Sequence, residues 1–564
     1  MIAMNSTFLI KRKYFDWVPR PHTWFSPEWW VIILATIAAI LTTIYAFQYG
    51  YIAAYGDAES HLNIAKRVVD SLTSGFAQLG GIWLPLPHIL LMPFVYSDFL
   101  WRTGLAGSIV SGAAFIISSL YMYKLAHLLT RSRGAAFFTA VVFMSNPNIL
   151  YLQSTPMTEL PLIVFFILSS YFFIRFLLDD TKLLMLIAAA GFGFCASLSR
   201  YDGWALVMME AGILFLYYLP YKINPAWFAA STEKVSLIIS NTSHTLIERW
   251  HRLEGREVLF MTLAFFGIFL WLGWGYLILG DPLYFTHSQF SASSQQNSWL
   301  ARGELPAYRN IPIALLYYTV TSMQSAGTLL ACIALIGILL FGFDKDMRNR
   351  WLILLVLLVP FFFNVLTLFL GQSVIFLPGI TPYTFDWTLF NVRYGAMMVP
   401  VISLLVGYVF YRSKIFGRTL VGGLLLLQCA LFFIGFTPIL ALQDGVAGLS
   451  SATAKMPDAQ AWLAREYDYG ILLTDDFART ISIIRTPIAM RDIIYIGNKP
   501  YWEESLVAPE KYARWIVMQK NDAVWTSIND NPVTNARLYK YFNKVYTSEN
   551  ILIFKRIGDV PLTK

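Results

Sequence analysis

The chain has 564 residues, of which 57% are hydrophobic, 16% aromatic and only 13% charged, about half the charged share of a typical soluble chain. That composition excludes an ordinary soluble globule and describes an integral membrane protein. The net charge of +8 does not mark a nucleic-acid binder, because Lys and Arg fall in short clusters between apolar runs, where membrane topology calls for them.

Residues 1–28 read as a cytoplasmic N-terminal segment with no cleavable signal, since the first apolar run begins near Trp29 and is long enough to be a true span. About 20 apolar residues cross a hydrocarbon core. Runs of that kind lie near 29–50, 104–128, 135–150, 160–178, 183–199, 204–221, 258–279, 313–343, 351–371, 392–411 and 418–440, which predicts about eleven spans. With the N-terminus in the cytoplasm, Lys11, Arg12, Lys13, Arg131, Arg133, Lys182, Lys222, Lys234, Arg249, Arg348, Arg350, Arg412 and Lys414 collect in the inner loops. The outer loops carry far fewer cations, so the positive-inside rule puts 52–103, 280–312, 372–392 and the C-terminal tail outside. Cys195, Cys332 and Cys429 all sit in apolar runs without metal-like spacing, which supports neither a disulfide framework nor a zinc site.

The first outer loop opens on "YGDAESHL", which packs Asp57, Glu59 and His61 into five residues directly after the first span. From Ala58 to Leu72 the residues Leu62, Ala65, Val69 and Leu72 share a helical stripe that Lys66, Arg67 and Asp70 avoid, and Gly75 can end the helix. This predicts a helix lying in the membrane interface, with Asp57 at its N-terminus and His61 one turn on. Past Leu440 polarity rises, and strand-like "GILLT", "RWIVM" and "ILIFK" accompany a helix-like "TNARLYKYFN". Residues 441–564 are therefore expected to form a small extracytoplasmic α/β domain. No internal repeat is visible.

The plainest role for Asp57 is a helix cap. Glu159 in "TPMTELP" changes the balance, because it lies at the outer start of another span and an ionisable group beside hydrocarbon is a functional candidate. A lone His61 is more often a polar neighbour than a catalyst. Arg200 in "SRYDGW" and Arg393 in "NVRYGAMMVP" sit where spans meet the outer surface, each followed by a tyrosine. Snorkelling explains either alone, but a guanidinium is also the preferred bidentate partner of phosphate.

The motifs "GDAESHL", "WLPLPH", "MTELP", "LSRYDGW", "GDPLYF" and "RYGAMMVP", in that order over about 50–440, resemble the GT-C class of integral-membrane glycosyltransferases. The nearest group is the family 39-like one, which includes protein O-mannosyltransferases and the aminoarabinose transferases of lipid A. The "WWDYG"-type signature of oligosaccharyltransferases is absent from this sequence. The resemblance implies a mainly α, polytopic fold of GT-C type and a polyprenyl-phosphate sugar as donor. It implies Asp57 as catalytic base, Glu159 as a second acid, and Arg200 and Arg393 on the phosphate. His61, Trp83, His88, Tyr201, Asp202, Tyr284 and Tyr394, which stand in or beside the same motifs, are expected to line the substrate cavity. Members that follow the first Asp directly with Glu differ from this chain, which leaves open whether Glu59 shares the catalysis. A cation could gather among Asp57, Glu59, Glu159 and the histidines, yet the resemblance implies no metal cofactor.

A transporter or flippase would instead carry its ionisable groups at the midplane of broken spans within an inverted repeat. A non-catalytic lipid-glycan binder would use the same cavity. The sugar and the acceptor are not readable from the residues, and the lack of disulfides favours a prokaryotic plasma membrane.

Overall fold

The computed structural model describes residues 26–218, 250–289, 291–454, 457–475 and 481–558. Lys11, Arg12, Lys13, Lys222, Lys234 and Arg249 lie outside the described residues, as does nearly all of the N-terminal segment. The apolar runs are helical: α1 (Pro27–Gln48), α4 (Leu105–Thr130), α5 (Arg133–Met144), α7 (Glu159–Leu178), α8 (Leu183–Ser197) and α9 (Asp202–Tyr218) form the first half. Before α4 the segment 52–103 folds into α2 (Gly56–Val69) and α3 (Leu86–Val95), and a short α6 (Pro147–Leu152) precedes α7. The second half contains α10 (Trp250–Ala264), α11 (Phe266–Leu279), α12 (Ile311–Ala326), α13 (Thr328–Phe343), α14 (Arg350–Leu357) and α15 (Val359–Phe369). A 3-10 turn (Val392–Met398), α16 (Val399–Arg412), α17 (Ile415–Phe433) and α18 (Leu440–Ala454) complete the helical part.

Among the described residues five helices are long and apolar enough to cross a bilayer, or up to eight if each of three bent pairs is one span. The run 313–343 departs most from its sequence reading. It is not one straight helix but α12 and α13, bent by 112°. Gly327 makes the corner at φ +96, a conformation that L side chains avoid. The carbonyl freed at Ser325 accepts from Asn146 Nδ2 and Asn148 Nδ2, each at 2.9 Å. In a low-dielectric interior such a break needs internal partners for its backbone groups.

The segment 153–158 shows the same logic. It is buried non-helical chain between α6 and α7, and serines on α4 satisfy it. Ser108 Oγ donates to Ser154 O at 2.6 Å and Ser111 Oγ to Thr155 O at 2.8 Å. Gly107 of α4 allows this approach, since a Cβ there would stand 2.3 Å from Pro156 Cα. The segment delivers Glu159 to the first turn of α7.

The polar side of α2 is covered rather than open as its stripe predicts. Lys66 and Arg67, read as its polar face, are buried. Lys66 Nζ reaches Asp98 at 2.7 Å and Asp70 at 3.3 Å, and the Arg67 guanidinium lies 3.8 Å from the Tyr495 ring centroid. Tertiary partners cover both faces, and the helix stops at Val69 rather than Leu72.

After α18 the chain forms a five-stranded mixed sheet of order β2-β1-β3-β5-β4. Its strands are β1 (Leu472–Leu473), β2 (Ile493–Ile494), β3 (Trp515–Gln519), β4 (Phe542–Thr547) and β5 (Ile551–Arg556). The first three are parallel, and β5 runs antiparallel to both β3 and β4. One face of the sheet shares an apolar core with the segment 52–103 between α1 and α4, where Leu62, Leu91 and Trp101 join Leu463, Leu472 and Trp515. Arg102 clamps this contact by donating to the carbonyls of Ile483, Thr486 and Ile488.

Adding one methyl at Gly107 should push against the Pro156 backbone and cost about 1–3 kcal/mol. Gly134, where a Cβ meets nothing within 4 Å, is the control. Gly107→Ala should lower the thermal midpoint in detergent while Gly134→Ala does not, and equal midpoints would refute the close packing.

Candidate active site

Three helices start at one place. Asp57 lies in the first turn of α2, Glu159 in that of α7 and Asp202 in that of α9, where the helix dipole favours a carboxylate. The 3-10 turn leading into α16 brings Arg393 among them. Gly395 lets that turn press on α12, since a Cβ there would meet Ser325 Oγ and Thr321 O at 2.5 Å.

Each nitrogen of the Arg393 guanidinium faces a different carboxylate. Nη2 bonds Asp57 Oδ2 at 2.9 Å, Nε bonds Glu159 Oε1 at 3.2 Å and Nη1 lies 3.5 Å from Asp444 Oδ2. Arg200 shares the same acid, with Nη1 3.1 Å from Glu159 Oε1, and it also pairs with Asp202 through Nε at 3.3 Å. Arg200 Nη1 donates to Thr158 Oγ1 at 2.9 Å as well. The Tyr394 ring lies 5.1 Å from the Arg200 guanidinium and 5.2 Å from that of Arg393. Side-chain exposure ranks the members: Glu159 0%, Asp444 5%, Arg393 6%, Arg200 19% and Asp57 31%. Asp57 and Arg200 are therefore the acid and the cation most open to a ligand, while Glu159 and Arg393 form the floor.

Glu159 Oε2 accepts no hydrogen bond although it is buried. Burial pushes the Asp444 carboxyl up to about 6 against the pull of Arg393. The same burial, with Asp444 alongside, raises the Tyr55 hydroxyl well above its ordinary range. Tyr55 supports Arg393 from below, its ring centroid 4.9 Å from the guanidinium.

The remaining predicted residues form a second group. His61 and His88 are both buried and touch through Nδ1 and Nε2 at 2.9 Å, with Trp83 4.6 Å from the His61 ring. Burial holds His88 at about 4 and, with His88 beside it, holds His61 well below the usual imidazole range. The pair is neutral at pH 7 and buttresses the helix that carries Asp57. Tyr201 donates to Ile82 O at 2.8 Å and stacks on Phe285 at 5.1 Å. Tyr284 is half-buried and packs over Gly81, where a Cβ would come within 2.8 Å of its ring. Glu59 Oε2 accepts from Ser482 Oγ at 2.7 Å, so this acid is engaged by the C-terminal module. Among the described residues no group of three or more His, Cys, Asp or Glu is placed to hold a metal ion.

Sequence reasoning missed Asp444, Thr158, Tyr55 and Ser482. Asp444 carried a usable signal, an acid just past the end of an apolar run, but it falls within the segment read as soluble domain.

The fold is of the GT-C type. The chain is similar to ArnT from Cupriavidus metallidurans, whose crystal structure bound to undecaprenyl phosphate gives a TM-score of 0.56 at 12% identity, covering 94% of this chain and 99% of that one. The apo form of ArnT gives a TM-score of 0.50 at 12% identity, over 92% and 98% of the two chains. The oligosaccharyltransferase of Archaeoglobus fulgidus gives 0.46 at 13% identity, over 96% and 76%. No protein-family model and no curated protein matches the sequence.

If Arg393 neutralises three buried acids, its removal should be costly. Arg393→Met leaves them uncompensated, and breaking buried pairs costs about 3–5 kcal/mol. Burial raises the folded pKa of Asp444 above its unfolded value, so its ionisation costs stability as pH rises through about 6. The deficit of the variant in detergent melts should therefore widen from pH 5 to pH 8. Equal midpoints for variant and wild type would show that the arginine is not the counter-ion.

Proposed function

We propose that the protein is a membrane glycosyltransferase that moves a sugar, hexose or pentose, from a polyprenyl-phosphate carrier to an acceptor hydroxyl. The observation that carries this reading is the convergence of Asp57, Glu159, Arg200 and Arg393, two acids and two guanidiniums from distant stretches of sequence. The fold shared with ArnT, which has been crystallised with undecaprenyl phosphate, supports a donor of that class.

In this reading Asp57, the most exposed acid, takes the proton of the acceptor hydroxyl while that oxygen attacks the anomeric carbon. The bond from that carbon to the phosphate oxygen breaks, and its electron pair leaves with the lipid phosphate. Arg200 is the better phosphate ligand, being the more exposed arginine, and it stabilises the charge on the leaving group. Arg393 holds Asp57 ionised and aimed, and Glu159 fixes both arginines. A single displacement inverts the anomeric configuration. Glu59 and the buried histidines hold the first outer loop in shape.

The chain crosses the membrane in about eleven spans, with the first outer loop and residues 441–564 on the extracytoplasmic side. An impermeant thiol reagent should then label Glu549→Cys in intact cells and label Asp346→Cys only after permeabilisation. The opposite pattern would invert the orientation.

A panel of polyprenyl-phosphate sugars incubated with the purified protein should show one consumed. Asp57→Asn should abolish turnover yet still bind that donor, because the amide keeps the shape but takes no proton. Arg200→Lys keeps the charge and loses the fork, so donor affinity should fall about tenfold. Turnover of no donor in the panel, or full turnover by the Asp57 variant, would overturn the assignment.

A further inference from the structure

We propose that Asp444 is a positioning residue of this reaction: through Arg393 it sets the orientation and the basicity of Asp57, which makes α18 a wall of the active centre. The proposal rests on Asp57 acting as the base.

The helix α18 is built into the site. Its start is held by Asn148 Oδ1, which accepts from Ala441 N at 2.8 Å, and by the Tyr55 hydroxyl, which donates to Ala441 O. Two glycines bring it against the segment that carries Asp57. A Cβ at Gly445 would stand 2.5 Å from the Tyr151 hydroxyl and 3.2 Å from the Tyr55 ring. At Gly448 it would lie 3.3 Å from Ala54 O and 3.7 Å from Gly56 N, the residue before Asp57. Only small residues permit this seating, and it places Asp444 beside Arg393.

The side chain of Asp444 is 5% exposed, so its influence passes through Arg393. Nε and Nη2 of that guanidinium are taken by Glu159 and Asp57. Asp444 Oδ2 faces the remaining Nη1 at 3.5 Å, an ion pair without a hydrogen bond at that oxygen, and its charge favours the orientation in which all three nitrogens face carboxylates. It also competes for the positive charge that would otherwise stabilise ionised Asp57, and a neighbouring anion raises a carboxyl's pKa. The titratable and charged groups facing Asp444 are Tyr55 and Asp57 of the first outer loop, Tyr151 of α6 and Arg393 of the 3-10 turn, with Glu159 of α7 on the same arginine. Neutralising Asp444 therefore gives Arg393 more fully to Asp57 and makes it a weaker base.

The test uses the full-length protein with the donor that wild type consumes. Asp444→Asn should lower kcat about tenfold at about pH 8 and leave the donor KM within about twofold. Because the Asp444 carboxyl is pushed up to about 6, the wild-type kcat/KM profile should carry an inflection there that Asp444→Asn loses and Asp444→Glu, which keeps an ionisable carboxyl, restores. An unchanged kcat overturns the proposal, and so does a lower kcat with the inflection kept, because a purely structural residue would give that result. Should the Asn variant fail to fold, Asp444→Ser removes the charge with a smaller side chain. A stability cycle of Asp57→Asn and Asp444→Asn, singly and together, needs no substrate. Non-additive thermal midpoints support the coupling and additive ones refute it. A wild type that consumes no polyprenyl-phosphate sugar, with non-additive midpoints, would remove the glycosyltransferase reading and leave the coupling standing.

Discussion

The guanidinium of Arg393 is the constraint on which the site depends. It is nearly buried and lies among three carboxylates from α2, α7 and α18. Removing several ions from water costs several kcal/mol each, and that cost is offset only when geometry lets each charge find a counter-charge. Helices from distant parts of the sequence must therefore start together. The breaks and close approaches elsewhere, at Gly107, Gly327 and Gly395, are what allow those starts to meet.

The cluster divides into groups that hold and groups that can act. Glu159, Arg393 and Asp444 are sealed, and their mutual pairing gives a rigid floor whose charges need not reorganise when a substrate arrives. Asp57 and Arg200 keep open sides. In the proposed reaction, a fixed carboxylate beside a fixed cation suits a displacement in which a proton is taken at one end while negative charge develops at the other. The neutral pair His61 and His88 belongs to the support, as burial disfavours its charged form.

The segment between α1 and α4 links this centre to the sheet. Gln78 donates to Gly497 O at 3.2 Å, Asn498 Nδ2 donates to Thr73 Oγ1 at 2.9 Å and Arg491 pairs with Asp70 at 3.3 Å. With the apolar contact around Trp101 and Trp515, these bonds tie the segment that follows α2 to the C-terminal module. The sheet thus supports the helix that carries Asp57, and its cost to α2 is that Lys66 and Arg67 must be buried and paired.

Much of this architecture was legible from local chemistry. Apolar runs had to become helices because no other lone segment satisfies its backbone in lipid, and Asp57, Glu159, Arg200 and Arg393 stood out because charge at a span's end is expensive. Periodicity misjudged α2, since a stripe records which residues are apolar and not what covers the polar ones. The apolar run 313–343 hid its corner for a related reason: Gly327 costs little in a hydropathy reading, and its effect depends on the amides of Asn146 and Asn148 across the bundle. The sequence by itself determined a helical membrane protein with acids and arginines at its helix ends. Tertiary structure alone decided that four of those residues share one network and that Asp444 joins them, because a buried arginine draws its counter-ions through space, and spacing along the chain carries no record of which carboxylates it will meet.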